Sequence, residues 1–214
     1  MYNYKAIIFD MDGVLFDTES FYYRRREVFL DQKGISIKHL PPSFFIGGNM
    51  KQIWRAILRE EYENWDILRL QEEYSEYKRQ HPLPYKELIF TDVKNVLLEL
   101  KKKNIKLALA SNSTKEDILR ALSETQLMGY FDMIISGQEV KESKPSPDVY
   151  LKVMEELGVK STETLIIEDS EKGIQAGVSS KADVWAIRDK WFGMDQSKAT
   201  QLIDSLADIS LKIN

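Results

Sequence analysis

Two aspartates one residue apart, Asp10 and Asp12, follow at once on the apolar run Ala6-Ile-Ile-Phe9, and Gly13 lets the chain turn directly behind them. Such a run fits a strand buried on both faces, so carboxylate chemistry is expected where that strand ends, first of all at residue 10. An aspartate in this place also serves as a loop cap or an Asx turn, and one residue alone does not separate the two readings. A second acidic pair, Glu168-Asp169, follows the apolar run Leu165-Ile-Ile167 in the same manner. Two carboxylates abutting a buried strand repel each other and stay ionised more easily around a cation. Mg2+, which prefers hard oxygen ligands, suits them.

The stretch Phe9-Asp-Met-Asp-Gly-Val-Leu-Phe-Asp-Thr18 resembles the first motif of the haloacid dehalogenase-like hydrolases, Asp-x-Asp-Gly-x-x-x-Asp-Thr/Ser. The resemblance implies that Asp10 is a nucleophile that becomes an aspartyl phosphate and that Asp12 is the general acid and base. It asks for a Ser or Thr after the second strand, and Ser111 in Ala110-Ser111-Asn112 answers; its hydroxyl and nearby backbone N–H groups would hold a phosphoryl oxygen. It asks for a lysine, met by Lys144 in Ser143-Lys-Pro-Ser-Pro-Asp148, which would balance negative charge beside the nucleophile. Outside these motifs Ser111 would read as a helix cap and Lys144 as a surface lysine in a turn. The last motif is Glu168-Asp-Ser-x-x-Gly173-Ile-x-Ala-Gly177. It implies Mg2+ held by the side chains of Asp10 and Asp169 and the backbone carbonyl of Asp12, with Glu168 behind them or acting through water. Gly173 and Gly177 read as close-packing positions rather than phosphate ligands.

These motifs imply in-line attack of Asp10 on a phosphate monoester of a small metabolite. Thr18, Tyr22, Lys51 and Asn112 are the expected substrate contacts. The resemblance is closest to the β-phosphoglucomutase-like group, whose cap closes over the site, and it leaves a sugar-phosphate mutase as the main rival to a phosphatase. The resembling mutases carry a histidine four residues after Asp-Thr and a cap arginine three after glycine, where this chain has Tyr22 and Lys51. Tyr22 lacks an imidazole's donor and acceptor pair, and Lys51 lacks arginine's bidentate fork, so the phosphatase reading is preferred. Haloacid dehalogenases and phosphonoacetaldehyde hydrolases lack the second aspartate, although Gly48-Asn-Met-Lys51 matches the spacing of the latter's Schiff-base lysine. A silent binding protein on the same fold would be expected to have lost an acid, and none is missing.

The elements that must position these residues follow from periodicity. Apolar runs at 106–110, 133–135, 165–167 and 184–187 read as strands, and the segments 93–103, 118–122, 147–157 and 174–178 as helices. Regular alternation predicts an α/β fold, a doubly wound parallel sheet with helices on both faces, whose ligands bind beyond the carboxyl ends of the strands. Residues 19–86 show helical spacing only, punctuated by Pro41-Pro42, Gly47-Gly48 and Pro82-Leu-Pro84, and read as a helical cap inserted into a core of residues 1–18 and 87–214. The triplet Arg24-Arg-Arg26 reads as a solvated helix face, and the tail 199–213 as a helix through Leu202, Ile203 and Leu206.

With 214 residues and 43% hydrophobic content the chain can bury a sizeable core, and its net charge of −4, from well-mixed charges, gives no field for nucleic acid or anionic membrane. The absence of cysteine excludes thiol catalysis, disulfides and cysteine-bound zinc. Residues 1–9 lack a signal peptide's apolar region, and no run approaches the ~20 residues of a membrane span. The expectation is a cytoplasmic monomer.

Overall fold

A computed structural model describes residues 3–46 and 50–213, the side chains of residues 50–52 apart. The chain divides into two compact units, Met1–Asp17 with Tyr85–Asn214, and Thr18–Pro84.

The first unit is built on a six-stranded parallel sheet of β1 (Ala6–Phe9), β2 (Lys106–Ser111), β3 (Met133–Ser136), β4 (Thr164–Glu168), β5 (Asp183–Ile187) and β6 (Gln201–Ile203), in the order β3-β2-β1-β4-β5-β6. The crossover helices are α5 (Val93–Lys102), α6 (Lys115–Glu124), α7 (Asp148–Leu157) and α8 (Glu171–Ser179). Every residue of β1 is fully buried, as a central strand with helices on both faces requires. Side chains alternate between the faces: Ile8, Ala108 and Ile166 share a core with Val149, Tyr150 and Val153 of α7 and Ile174 of α8. Strand order reverses between β1 and β4, so their carboxyl ends bound the crevice where ligands of such sheets bind.

Two details of this unit depart from the sequence pattern. The tail is a short edge strand, β6, followed by α9 (Ala207–Lys212). Leu202 is half-exposed while Ile203 is buried, the alternation of a strand, and Ile203 pairs with Ile187. The unit also takes in α4 (Tyr85–Leu88), because Tyr85 is fully buried with its ring edge-on to Phe16 at 5.2 Å, and the Leu88 carbonyl accepts the Asp17 N–H at 2.8 Å.

The second unit holds α1 (Glu19–Asp31), α2 (Met50–Leu58) and α3 (Ile67–Gln80) around Phe29, Leu30, Phe45, Trp54, Leu70 and Tyr74. Thr18 begins it, its carbonyl accepting the Tyr22 N–H at 2.9 Å. Arg24 is exposed as expected, but Arg25 and Arg26 are buried, which corrects the reading of the triplet as a solvated face. The buried face of α1 runs through residues 25, 26, 29 and 30, leaving Val28 40% exposed.

Candidate active site

Asp10 stands directly beyond β1, its N–H still donating to the Ile167 carbonyl of β4 at 2.9 Å, so backbone pairing fixes the position of the carboxylate. Lys144 reaches it from the loop before α7. Its ammonium donates to Asp10 Oδ1 at 2.6 Å, Glu168 Oε1 at 2.7 Å and the Ala110 carbonyl at 2.8 Å, so all three hydrogens are engaged. Here Lys144 neutralises carboxylates, and to touch a phosphoryl oxygen it must release one of these partners. Asn112 holds the lysine's backbone on both sides: its Oδ1 accepts the Lys144 N–H at 3.1 Å and its Nδ2 donates to the Lys144 carbonyl at 3.2 Å. The amide expected to contact substrate therefore ties the end of β2 to the lysine loop.

Glu168 is fully buried at the end of β4 and surrounded by donors. Lys144 and the Tyr150 hydroxyl, at 2.6 Å, share Oε1, while Oε2 accepts from the backbone of Asp169 and Ser170 and from Ser170 Oγ at 3.1 to 3.3 Å. A carboxylate has about four lone-pair sites, so Glu168 is committed to holding the lysine and the turn behind it. Gly173 makes room for it, since a Cβ there would lie 1.9 Å from Glu168 Oε1, and a Cβ on Gly177 would lie 2.7 Å from Val184. Both glycines are close-packing positions. Gly13, at φ +75°, serves Asp169 in the same way, with 2.0 Å between a would-be Cβ and Oδ2.

Asp10, Glu168 and Asp169 each offer one oxygen within 4.8 Å of the others, all three residues buried. This set of oxygen donors fits a hard divalent cation. Burial drives the Asp10 pKa up to about 8, with the charges of Glu168 and Asp12 adding to the rise and Lys144 opposing it. Burial also works against the charge on Lys144, but Asp10 and Glu168 outweigh it and hold the ammonium above the usual lysine range. The Tyr150 phenol is pushed well up by burial and by Glu168, so it stays a hydrogen-bond donor.

Asp12 is half-buried, and Ser113 Oγ donates to its Oδ2 at 2.7 Å. Ser111 is buried, and its Oγ accepts the Ser113 N–H at 3.0 Å. The other expected contacts lie in the helical unit. Thr18 is fully buried at the start of α1, and the half-buried Tyr22 lies under the Arg25 guanidinium, 5.4 Å from ring centroid to charge. Lys51 sits in the first turn of α2 with its side chain outside the described residues, as are Gly48 and Asn49. Ser113, Tyr150, the Ala110 carbonyl and Ser170 were not singled out by sequence reasoning. Tyr150 had a signal available, three residues after Pro147 on the first turn of a helix that starts just beyond Lys144.

The family model described as haloacid dehalogenase-like hydrolase matches residues 7–187. The chain is 33% identical over 183 residues to a phosphoglycolate phosphatase of Aquifex aeolicus, a match covering 81% of this chain and 79% of that protein. It is 33% identical over 185 residues to a phosphorylated carbohydrates phosphatase of Thermotoga maritima, covering 82% and 81%. A solved β-phosphoglucomutase of Clostridium difficile, 23% identical, shares the fold with a TM-score of 0.78 over 96% of this chain and 93% of that one.

Proposed function

Because the chain belongs to the haloacid dehalogenase-like hydrolases, we propose that it hydrolyses a phosphate monoester of a small sugar or related metabolite through an aspartyl phosphate on Asp10. The observation that carries this reading is the buried Asp10 carboxylate at the switch point of the sheet, bonded by Lys144 at 2.6 Å. Asp10 attacks phosphorus in line; the Asp10 O–P bond forms as the ester P–O bond breaks, and Asp12 gives its proton to the departing alcohol oxygen. Water then attacks the aspartyl phosphate, Asp12 takes its proton, and the Asp10 O–P bond breaks to free inorganic phosphate. Ser113 orients the Asp12 carboxylate for both transfers. Ser111, accepting from the Ser113 N–H, keeps its own hydrogen to donate to a phosphoryl oxygen.

Asp10 and Asp169, with the Asp12 backbone carbonyl, would hold Mg2+. When bound, Mg2+ supplies the positive charge that keeps Asp10 ionised and lowers its repulsion from a phosphate dianion. Glu168, engaged by five donors, supports this set from behind. All these residues come from one chain, so the reading needs no second copy, and we take the enzyme as a monomer. Charged phosphate esters do not cross membranes unaided, and we place the enzyme in the cytoplasm with them. Among the described residues no helix is long and apolar enough to cross a membrane.

The test is a panel of phosphate esters incubated with purified protein and Mg2+, following both free phosphate and isomerised sugar. Free phosphate is expected from at least one small ester, with turnover abolished in Asp10→Asn and reduced about 10²- to 10⁴-fold in Asp12→Ala. A folded Asp10→Asn protein of normal activity would overturn the mechanism. Glucose 6-phosphate forming faster than free phosphate from β-glucose 1-phosphate, with catalytic glucose 1,6-bisphosphate, would replace the phosphatase with a mutase.

A further inference from the structure

Strands β4 and β5 pair through Glu168 and Ala186, and the pairing ends there. One residue further on, the carbonyls of Asp169 and Ile187 both accept from a single side chain, the Nε2 amide of Gln196, at 2.6 and 2.7 Å. Both neighbours are acceptors only, so the amide nitrogen must face them. The amide oxygen faces the other way and accepts the Asp189 N–H at 2.9 Å. Gln196 is 9% exposed, and all three bonds go to backbone. It thus continues the sheet where the two strands part, at the residue whose carboxylate points toward Asp10.

The connection behind Gln196 is itself tied down. The Asp189 carboxylate accepts the N–H groups of Trp191 and Phe192 at 2.9 Å and of Met194 at 2.7 Å, closing the turn after β5 on itself. Asp169 is confined on its other side by the absence of a Cβ at Gly13. Its carboxylate is therefore set by two backbone features, one on each side: the Gly13 turn and the Gln196 clamp.

We propose that Gln196 is a positioning residue for the cation site, fixing the backbone of Asp169 and thereby setting the affinity for Mg2+. This rests on the reading of Asp10 and Asp169 as the ligands. Gln196 touches neither substrate nor reacting atoms, so its removal weakens the metal and leaves the chemistry intact once the metal is supplied. Partners that orient a metal ligand typically carry 10- to 100-fold in affinity.

Mg2+ titrated calorimetrically into the full-length wild type, Gln196→Met and Gln196→Asn decides the matter. Methionine keeps the length and apolar bulk without either donor, and asparagine keeps the amide on a stem too short to bridge both carbonyls. The expected result is binding about 10- to 100-fold weaker in Gln196→Met, with a smaller loss in Gln196→Asn. The Mg2+ concentration for half-maximal phosphatase activity should rise in step, while kcat at saturating Mg2+ stays within a few-fold of wild type. A folded Gln196→Met or Gln196→Asn protein with wild-type Mg2+ affinity would overturn the inference and leave the phosphatase reading standing, as would a loss confined to kcat. Wild-type protein that binds no Mg2+ would overturn the ligand assignment beneath it, and this inference with it.

Discussion

Lys144 at the acidic end of the sheet and Arg25 and Arg26 on α1 are all buried cations, yet different forces hold them. Lys144 has an oxygen acceptor for each of its hydrogens, two of them carboxylates. Arg25 donates to the His81 carbonyl at 2.9 Å and lies near the rings of Phe21 and Tyr22, while Arg26 lies over Phe45 at 4.7 Å. The Nε atoms of both arginines and Nη1 of Arg26 are buried without a hydrogen-bond partner. The difference teaches that a compact ammonium is buried only with an acceptor for each hydrogen, whereas a guanidinium can be buried with some of its N–H groups unpaired. In the helical unit, π faces and a long apolar stem suffice to carry a guanidinium into the core.

The comparison breaks most visibly at Lys144. Replacing it with methionine leaves Glu168 buried without its counter-charge and Asp10 without its donor, and removing one partner of such a pair costs about 3–5 kcal/mol. Urea denaturation of metal-free Lys144→Met should show that loss, and a variant within about 1 kcal/mol of wild type would mean that the bonds of the lysine at this end of the sheet add no net stability. A smaller effect is expected from Gly173→Ala, whose Cβ meets Glu168 and can be relieved only by moving that carboxylate off its five donors. Overpacking of this kind costs roughly 1–3 kcal/mol. Gly129→Ala, with nothing near its Cβ, is the control and should be close to neutral in the same assay.

These residues also mark what was legible in the sequence. Asp10, Lys144, Glu168 and Asp169 could be placed because each stands at the end of an apolar strand or directly before a proline pair at motif spacing, and a parallel sheet brings such strand ends together. Tyr150 and Gln196 could not, nor could the tie that Asn112 makes to the lysine loop. Their roles depend on which loop lies beside which strand end, and a polar residue on a loop carries no periodic signal. The β6 strand was read as helix because Leu202, Ile203 and Leu206 stand at helical spacing, while a three-residue strand is too short to show its own alternation. Arg25 and Arg26 were read as solvated because charge outweighed position, although they precede Phe29 and Leu30 by one helical turn and so share their face.

Asp10 offers a pH test of the acidic end. Its pKa, raised to about 8, lies above that of an unfolded aspartate, so between those values the metal-free folded state holds a proton that the unfolded state has released. Stability from this group is full below about pH 4, declines as pH rises and is gone above about 8. Asn at position 10 keeps an oxygen for Lys144 and removes the titration. In the presence of chelator, Asp10→Asn should therefore gain on wild type by up to about 1.4 kcal/mol for each pH unit between pH 5 and pH 8, the slope of one proton. Thermal unfolding at the two pH values reads the gap; Mg2+ should close it by stabilising the ionised carboxylate of the wild type. A gap that stays constant as pH rises would show that Asp10 is charged throughout.

The smallest effect is predicted at the other buried cation. Arg26→Met removes a guanidinium whose Nε and Nη1 have no partner, and leaving such buried groups unsatisfied costs about 1–3 kcal/mol in the wild type. What it loses is the cation–π contact with Phe45, worth about 0.5–2 kcal/mol, because the methionine stem retains most of the apolar packing along α1. The two contributions nearly cancel, so the variant should unfold in urea within about 1 kcal/mol of wild type, on the stable side if the unpaired N–H groups dominate. Arg24→Met, on the exposed face of the same helix, should lie within about 0.5 kcal/mol of wild type and shows what loss of a solvated arginine alone does. A loss above 2 kcal/mol in Arg26→Met would mean that its guanidinium is as fully compensated as the Lys144 ammonium, and the contrast between the two regions would fall.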